Sequence, residues 1–236
     1  MKKHIPNLIT CCNLISGCFS ILFATRGMLE IASWMILLSA TFDFFDGFAA
    51  RMLHVSSPMG VDMDSLADVV SFGVAPTIIV FHFLSRLVEN LPPALRDSGV
   101  GLLPFVVFIV PAMSAFRLAK FNHDERQHVE FRGLATPANA LFIGFLHFSS
   151  KSIPVFNNFW LVLVLVVLFA VLLLTDIPMF SLKFKHLKWK GNAVRYVFLA
   201  LSAVLFAIFH FGALPIIIMC YILASLIILP FKNQMQ

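Results

Sequence analysis

The sequence predicts an all-α, polytopic integral membrane protein with about eight transmembrane helices in a single membrane domain spanning residues 1–236. Three observations predict it. The chain is 60% hydrophobic and only 12% charged. Its Leu, Ile, Val and Phe fall in long runs broken by charged or Pro/Gly residues. Lysine and arginine are unevenly divided between the ends of those runs. Soluble domains do not combine these features. The net charge of +5 matches basic loops beside membrane helices, and no RNA-type aromatic and basic module accompanies it, so no nucleic-acid partner is expected.

Eight runs are near the ~20 residues that cross a hydrocarbon core: 5–25, 28–53, 61–84, 101–121, 134–149, 155–175, 194–211 and 214–231. The first follows a signal-like start, but Asn7, Thr10 and Asn13 interrupt it and Phe23-Ala-Thr-Arg26 is a poor cleavage site, so the first helix is expected to be retained. Between the third and fourth runs, Glu89 to Gly99 carries Pro92 and Pro93, which end a helix. The fifth run is short, and the last two are joined by little more than Gly212-Ala213. Between the sixth and seventh, Lys183-Phe-Lys-His-Leu-Lys-Trp-Lys190 alternates basic and aromatic residues, which suits anionic lipid headgroups or simply fixes topology. With the amino terminus inside, thirteen of the 17 lysines and arginines face the cytoplasm, leaving Arg26, Arg86, Arg96 and Lys151 outside. Cys11, Cys12, Cys18 and Cys220 lie in apolar runs without a Cys-x-x-Cys pair and read as small packing residues. Trp34, Trp160 and Trp189 read as interfacial anchors.

One stretch breaks the apolar pattern. Asp43-Phe-Phe-Asp46-Gly47-Phe-Ala-Ala50-Arg51 ends the second run, and Gly60-Val-Asp-Met-Asp64-Ser-Leu-Ala-Asp68 opens the third. A charge at bilayer depth costs about 2.5–3.5 kcal/mol. On a helix, Asp43, Asp46, Gly47 and Ala50 share a sector of roughly 100°, with Arg51 at its edge. Gly60, Asp64 and Asp68 share a face of the next helix, and Asp62 points nearly the opposite way. Where the two faces meet, the aspartates form an all-oxygen site suited to magnesium or manganese, and four carboxylates suffice to bridge two ions. Pairing with Arg51 and nearby lysines is the bland reading, yet one arginine cannot neutralise four carboxylates. A divalent-cation transporter also places carboxylates in the membrane, but it has no need of the interleaved Gly, Ala and Arg.

The spacing Asp-x-x-Asp-Gly-x-x-Ala-Arg-x8-Gly-x-x-x-Asp-x-x-x-Asp resembles the signature of the CDP-alcohol phosphotransferase family, with every fixed position filled. The resemblance implies a membrane enzyme, commonly a homodimer, with a catalytic core over about 1–175 and two additional helices over about 194–231. It also implies transfer of a phosphatidyl or phosphoalcohol group from a CDP-linked lipid to an alcohol, with release of CMP. Asp43, Asp46 and Asp64 would then hold the ions, and Asp68 would be the general base, a metal ligand, or both. Gly47, Ala50 and Gly60 would let the nucleotide lie against helix backbone, although small residues also serve tight helix packing. Arg51 suits a diphosphate oxygen. Asn7 and Thr10 reach the nucleotide or merely cap the first helix.

Three further segments are similar to the phosphatidylserine synthase branch: Ile5-Pro-Asn-Leu-Ile-Thr10 with Asn13-Leu-Ile-Ser-Gly17, Asp64 to Pro76, and Arg117-Leu-Ala-Lys-Phe-Asn122 with Phe131-Arg-Gly-Leu-Ala-Thr-Pro137. Ala135 departs from the proline usual there. The resemblance implies CDP-diacylglycerol and L-serine as substrates, with phosphatidylglycerophosphate synthase as the nearest alternative. A serine carboxylate needs a cation, for which Arg117 and Arg132 are the candidates, while Lys120 reads better as a topology residue. His123 and His128 are five apart rather than four, so zinc is not expected.

Overall fold

The computed structural model describes residues 4–55, 57–123, 133–177, 179, 189 and 192–232. The first two helices, α1 (His4–Thr25) and α2 (Leu29–Leu53), form a hairpin. Its turn is closed by Gly27 at φ 75° and by Met28 N–H donating to Phe23 O at 3.0 Å. Both helices bury small residues, Ser16, Gly17, Ser20 and Ala24 on α1 and Ala32, Ser33 and Ser39 on α2. Small side chains let two membrane helices approach closely. Hydroxyls then bond across the gap, Ser20 to Ala32 O at 2.8 Å and Ser39 to Asn13 O at 3.1 Å.

After α2, His54 takes the left-handed conformation, and Ser57 caps α3 (Pro58–Asp68) by accepting from Gly60 N–H at 3.1 Å. The helix runs on through a π-helical stretch, Val69–Val74, into α4 (Ala75–Glu89). Pro76 accounts for the wide turn, because it offers no N–H and would crowd the carbonyl four residues back. Ala75 N–H instead bonds Val70 O, five residues back. Gly73 sits in this stretch, where an added Cβ would lie 3.3 Å from Ser114 Cβ.

A short α5 (Pro93–Arg96) and a 3-10 segment (Val100–Phe108) lead into α6 (Ile109–His123). Then come α7 (Thr136–Ser152), α8 (Phe159–Leu172), α9 (Ala193–Phe209) and α10 (Ala213–Lys232). The core includes Ile36, Phe72, Ile79, Leu84, Phe142 and Leu146. Phe142 and Phe169 stack with ring centroids 3.5 Å apart. Outward faces are apolar, as Leu8, Phe19, Phe44, Val164 and Val197 show. This is the surface of an integral membrane protein.

All eight expected runs are largely helical. Among the described residues, however, only five helical stretches are long and apolar enough to cross a membrane: His4–Thr25, Leu29–Leu53, Pro58–Glu89, Val100–His123 and Ala193–Ile227. The last folds back at His210–Gly212, since the rings of Phe198 and Tyr221 lie 6.0 Å apart. Helix α8 is shorter than these, and α7 has 17 residues. The expected third run, 61–84, extends to Pro58–Glu89, because a single π turn carries the helix past Pro76. Cys12 and Cys18 are exposed, so packing does not explain them, and all four cysteines are free. Trp34 packs edge-on against Phe211 at 4.3 Å. Most of the basic segment 183–190 lies outside the described residues, but its Trp189 stacks on Tyr196 at 5.5 Å.

Candidate active site

The unusual carboxylates gather where α2 ends and α3 begins, against the first half of α1. Asp43, Asp64 and Asp68 each offer an oxygen within 4.8 Å of the others. Asp46, one turn after Asp43, lies beside them, buried, and accepts a hydrogen bond from Thr10 Oγ1 at 2.7 Å. Asp68 is also buried and accepts from Asn13 Nδ2 at 3.2 Å. The phasing of Asp62 is as expected: it is exposed on the opposite side of α3.

Asp43, Asp64 and Asp68 could together hold a cation. Three carboxylates at this separation repel one another, and the Oδ1 atoms of Asp64 and Asn13 are buried with no hydrogen-bond partner. The donors are all hard oxygens, so the residues present fit a divalent ion such as enzymes use at phosphoryl groups.

An open cavity of about 150 Å³ adjoins the cluster. Asp46 and Asp64 reach it, and Asn7, Thr10, Gly47, Ala50 and Gly60 line it as well. A Cβ on Gly47 would meet nothing within 4 Å and so would project into open space. A Cβ on Gly60 would lie 3.1 Å from Ser57 Oγ and 3.2 Å from Asn7 Oδ1, so this glycine also serves close packing. Asn7 and Thr10 are not helix caps, since α1 begins at His4 and both face the cavity from inside the helix. Arg51 is exposed at the end of α2 and does not line the cavity.

On the other side of Asp68, Arg117 of α6 is buried. Its Nη1 donates to Thr136 Oγ1 at 3.1 Å, its guanidinium lies 5.5 Å from the Phe121 ring centroid, and its Nε has no partner. Asp68 is the carboxylate whose charge it feels. Two more buried polar groups have no partner: Ser114 Oγ, one turn before Arg117 on α6, and both side-chain polar atoms of Asn139, one turn beyond Thr136 on α7. Lys120 faces outward and pairs with Asp176 at 2.6 Å. Arg132, the second expected carboxylate partner, lies outside the described residues, as does Phe131.

Sequence reasoning missed Asn13 and Ser57. Asn13 had a signal, an amide in an apolar helix three residues after Thr10. Its side chain holds Asp68, while its backbone carbonyl accepts from Ser39 and Ser71, both at 3.1 Å.

A family model described as CDP-alcohol phosphatidyltransferase matches residues 3–172, which takes in α1 through α8. The chain is similar to the CDP-diacylglycerol--serine O-phosphatidyltransferase of Helicobacter pylori (strain J99), with 30% identity over 208 residues, covering 84% of this chain and 80% of the relative. It is similar to the Bacillus subtilis protein of the same name, with 33% identity over 151 residues and 64% and 79% covered. It is also similar to the one from Saccharomyces cerevisiae, 46% identical over 172 residues, with 66% and 57% covered.

Proposed function

The chain belongs to the CDP-alcohol phosphatidyltransferase family, and from that premise we propose that it transfers the phosphatidyl group of CDP-diacylglycerol to the hydroxyl of L-serine. The products are phosphatidylserine and CMP. One observation carries the reading: the carboxylate cluster opens on one side to a glycine-floored cavity and on the other approaches a buried arginine with an unused N–H. The acceptor is that of the serine O-phosphatidyltransferases to which the chain is similar.

The roles follow from placement. The nucleotide lies against Gly47, Ala50 and Gly60, with Asn7 and Thr10 offering polar contacts from α1. Asp43, Asp46, Asp64 and Asp68 would hold two magnesium or manganese ions, which would supply electrostatic stabilisation of the phosphoryl group and of the departing CMP. Thr10 fixes one oxygen of Asp46, and Asn13 fixes one oxygen of Asp68. Asp68 takes the proton from the serine hydroxyl as its oxygen bonds phosphorus and the bond to CMP breaks. Arg117 takes the serine carboxylate, with Arg132 as a second cation, and the unpartnered Asn139 and Ser114 supply polar contacts for the rest of the amino acid. Arg51, exposed at the end of α2 beside Ala50 of the cavity wall, meets the diphosphate.

In this reading the site faces the cytoplasm, the basic ends of the helices set the orientation, and the chain works as a homodimer. The test is CMP release from CDP-diacylglycerol by purified protein in detergent micelles. Serine is expected to support release, glycerol 3-phosphate is not, and chelation is expected to stop it until magnesium or manganese is restored. Release with glycerol 3-phosphate in place of serine would reassign the acceptor, and full activity after exhaustive chelation would remove the metal.

A further inference from the structure

A second cavity, of about 520 Å³, lies at the other end of the bundle, where α1 turns into α2 and where α4 and α7 finish. Glu30 of its wall and Asp46 of the carboxylate site share α2, which separates them by about 24 Å at 1.5 Å per residue. The transfer reaction makes no use of this end.

Its lining is divided. Leu29, Phe83 and Leu87 form an apolar side, while Arg86, His147 and Lys151 face it with Glu30. Arg86 donates from Nη2 to Gly27 O at 2.8 Å, which holds the guanidinium across the α1–α2 turn and leaves its other N–H groups without an acceptor among the described residues. Lys151 pairs with Glu30, and its ammonium lies 5.3 Å from the Phe148 ring centroid. His147 is only 6% exposed, yet neither ring nitrogen has a hydrogen-bond partner. The Gly144 carbonyl lies near the ring and accepts from Ser33 Oγ at 2.6 Å. A buried imidazole without a partner is costly unless something else meets it.

Two cations stand against one carboxylate here, beside an unpartnered imidazole. A planar guanidinium fork, an ammonium and an imidazole N–H together suit a phosphate oxyanion. We propose that this cavity is a second binding site, separate from the transfer site, that takes a phosphate group through Arg86, His147 and Lys151. When the phosphate is that of a phospholipid headgroup, the apolar side receives the glycerol and the first methylenes.

The test is calorimetric titration of the full chain in a phosphate-free detergent. Two probes are used: dihexanoyl-phosphatidylglycerol below its micelle concentration, and inorganic phosphate. Each of Arg86→Gln and His147→Phe is expected to weaken binding about tenfold or more, Arg86→Lys less, and Asp43→Asn not at all. Binding of the lipid alone identifies a headgroup site, and binding of both probes, or of inorganic phosphate alone, identifies a site for the bare oxyanion. The unliganded melting temperature of each variant checks its folding. Unchanged affinity in folded Arg86→Gln and His147→Phe proteins overturns the proposal, and so does binding that Asp43→Asn abolishes, which would place the ligand at the transfer site.

Discussion

At the scale of single residues, the site divides into groups that meet the reacting atoms and groups that hold them. Asp43→Asn, Asp46→Asn and Asp64→Asn are each expected to lower CMP release by at least about a hundredfold in inserted, folded protein, because each removes a hard anionic ligand. Asp62→Asn, on the exposed side of α3, is expected to stay near full activity. If Asp62→Asn proved as damaging as Asp64→Asn, the assignment of the α3 faces would be wrong. Asn13 acts through Asp68, so Asn13→Ala is expected to cost about tenfold to a hundredfold in kcat. Arg117→Gln is expected to raise the KM for serine by about tenfold to a hundredfold while leaving the dependence on CDP-diacylglycerol nearly unchanged. Arg51→Gln should do the reverse, and steady-state titration of each substrate separates the two. The aspartates were legible because a carboxylate in an apolar run is conspicuous and helical phasing is simple. Asn13 was not, because its function depends on which way α1 is turned, and that is set by Ser39 and Ser71 on two other helices.

At the scale of elements, apolar run length located the helices but not their internal irregularities. Periodicity does not announce a π turn. Pro76 and Gly73 were its local traces, and each also occurs in ordinary membrane helices. The turn matters because α1, α6 and α7 all pack against it. Gly17 of α1 lies so close that an added Cβ would be 2.8 Å from Ser71 Cα, a backbone atom that cannot swing aside. Gly17→Val is therefore expected to destabilise the fold by about 1–3 kcal/mol through overpacking, read as a lower melting temperature in detergent. Gly47→Ala offers the contrast, since its Cβ meets open space. It should melt like the parent while binding the nucleotide more weakly. A parent-like melting temperature for Gly17→Val would show that α1 and the π turn are not locked together.

At the scale of the whole molecule, the distribution of lysine and arginine makes the orientation testable. In a background with all four cysteines replaced, Ser57→Cys is expected to react with a membrane-impermeant maleimide only from the cytoplasmic side, and Asp97→Cys only from the other. Labelling of both from one side would contradict the topology. Span number was less legible than span position. Run length does not show that the last long stretch doubles back at His210. The α1–α2 hairpin has a further consequence during synthesis. As α2 leaves the ribosome, α1 is already beside it, and Thr10 offers Asp46 a hydroxyl. Only when α3 brings Asp64 and Asp68 is there a set of oxygens beside Asp43 able to hold a cation that offsets its charge. Until then Asp43 bears an insertion penalty of about 2.5–3.5 kcal/mol, so the second helix is poised to linger at the insertion machinery and enter the bilayer together with the third.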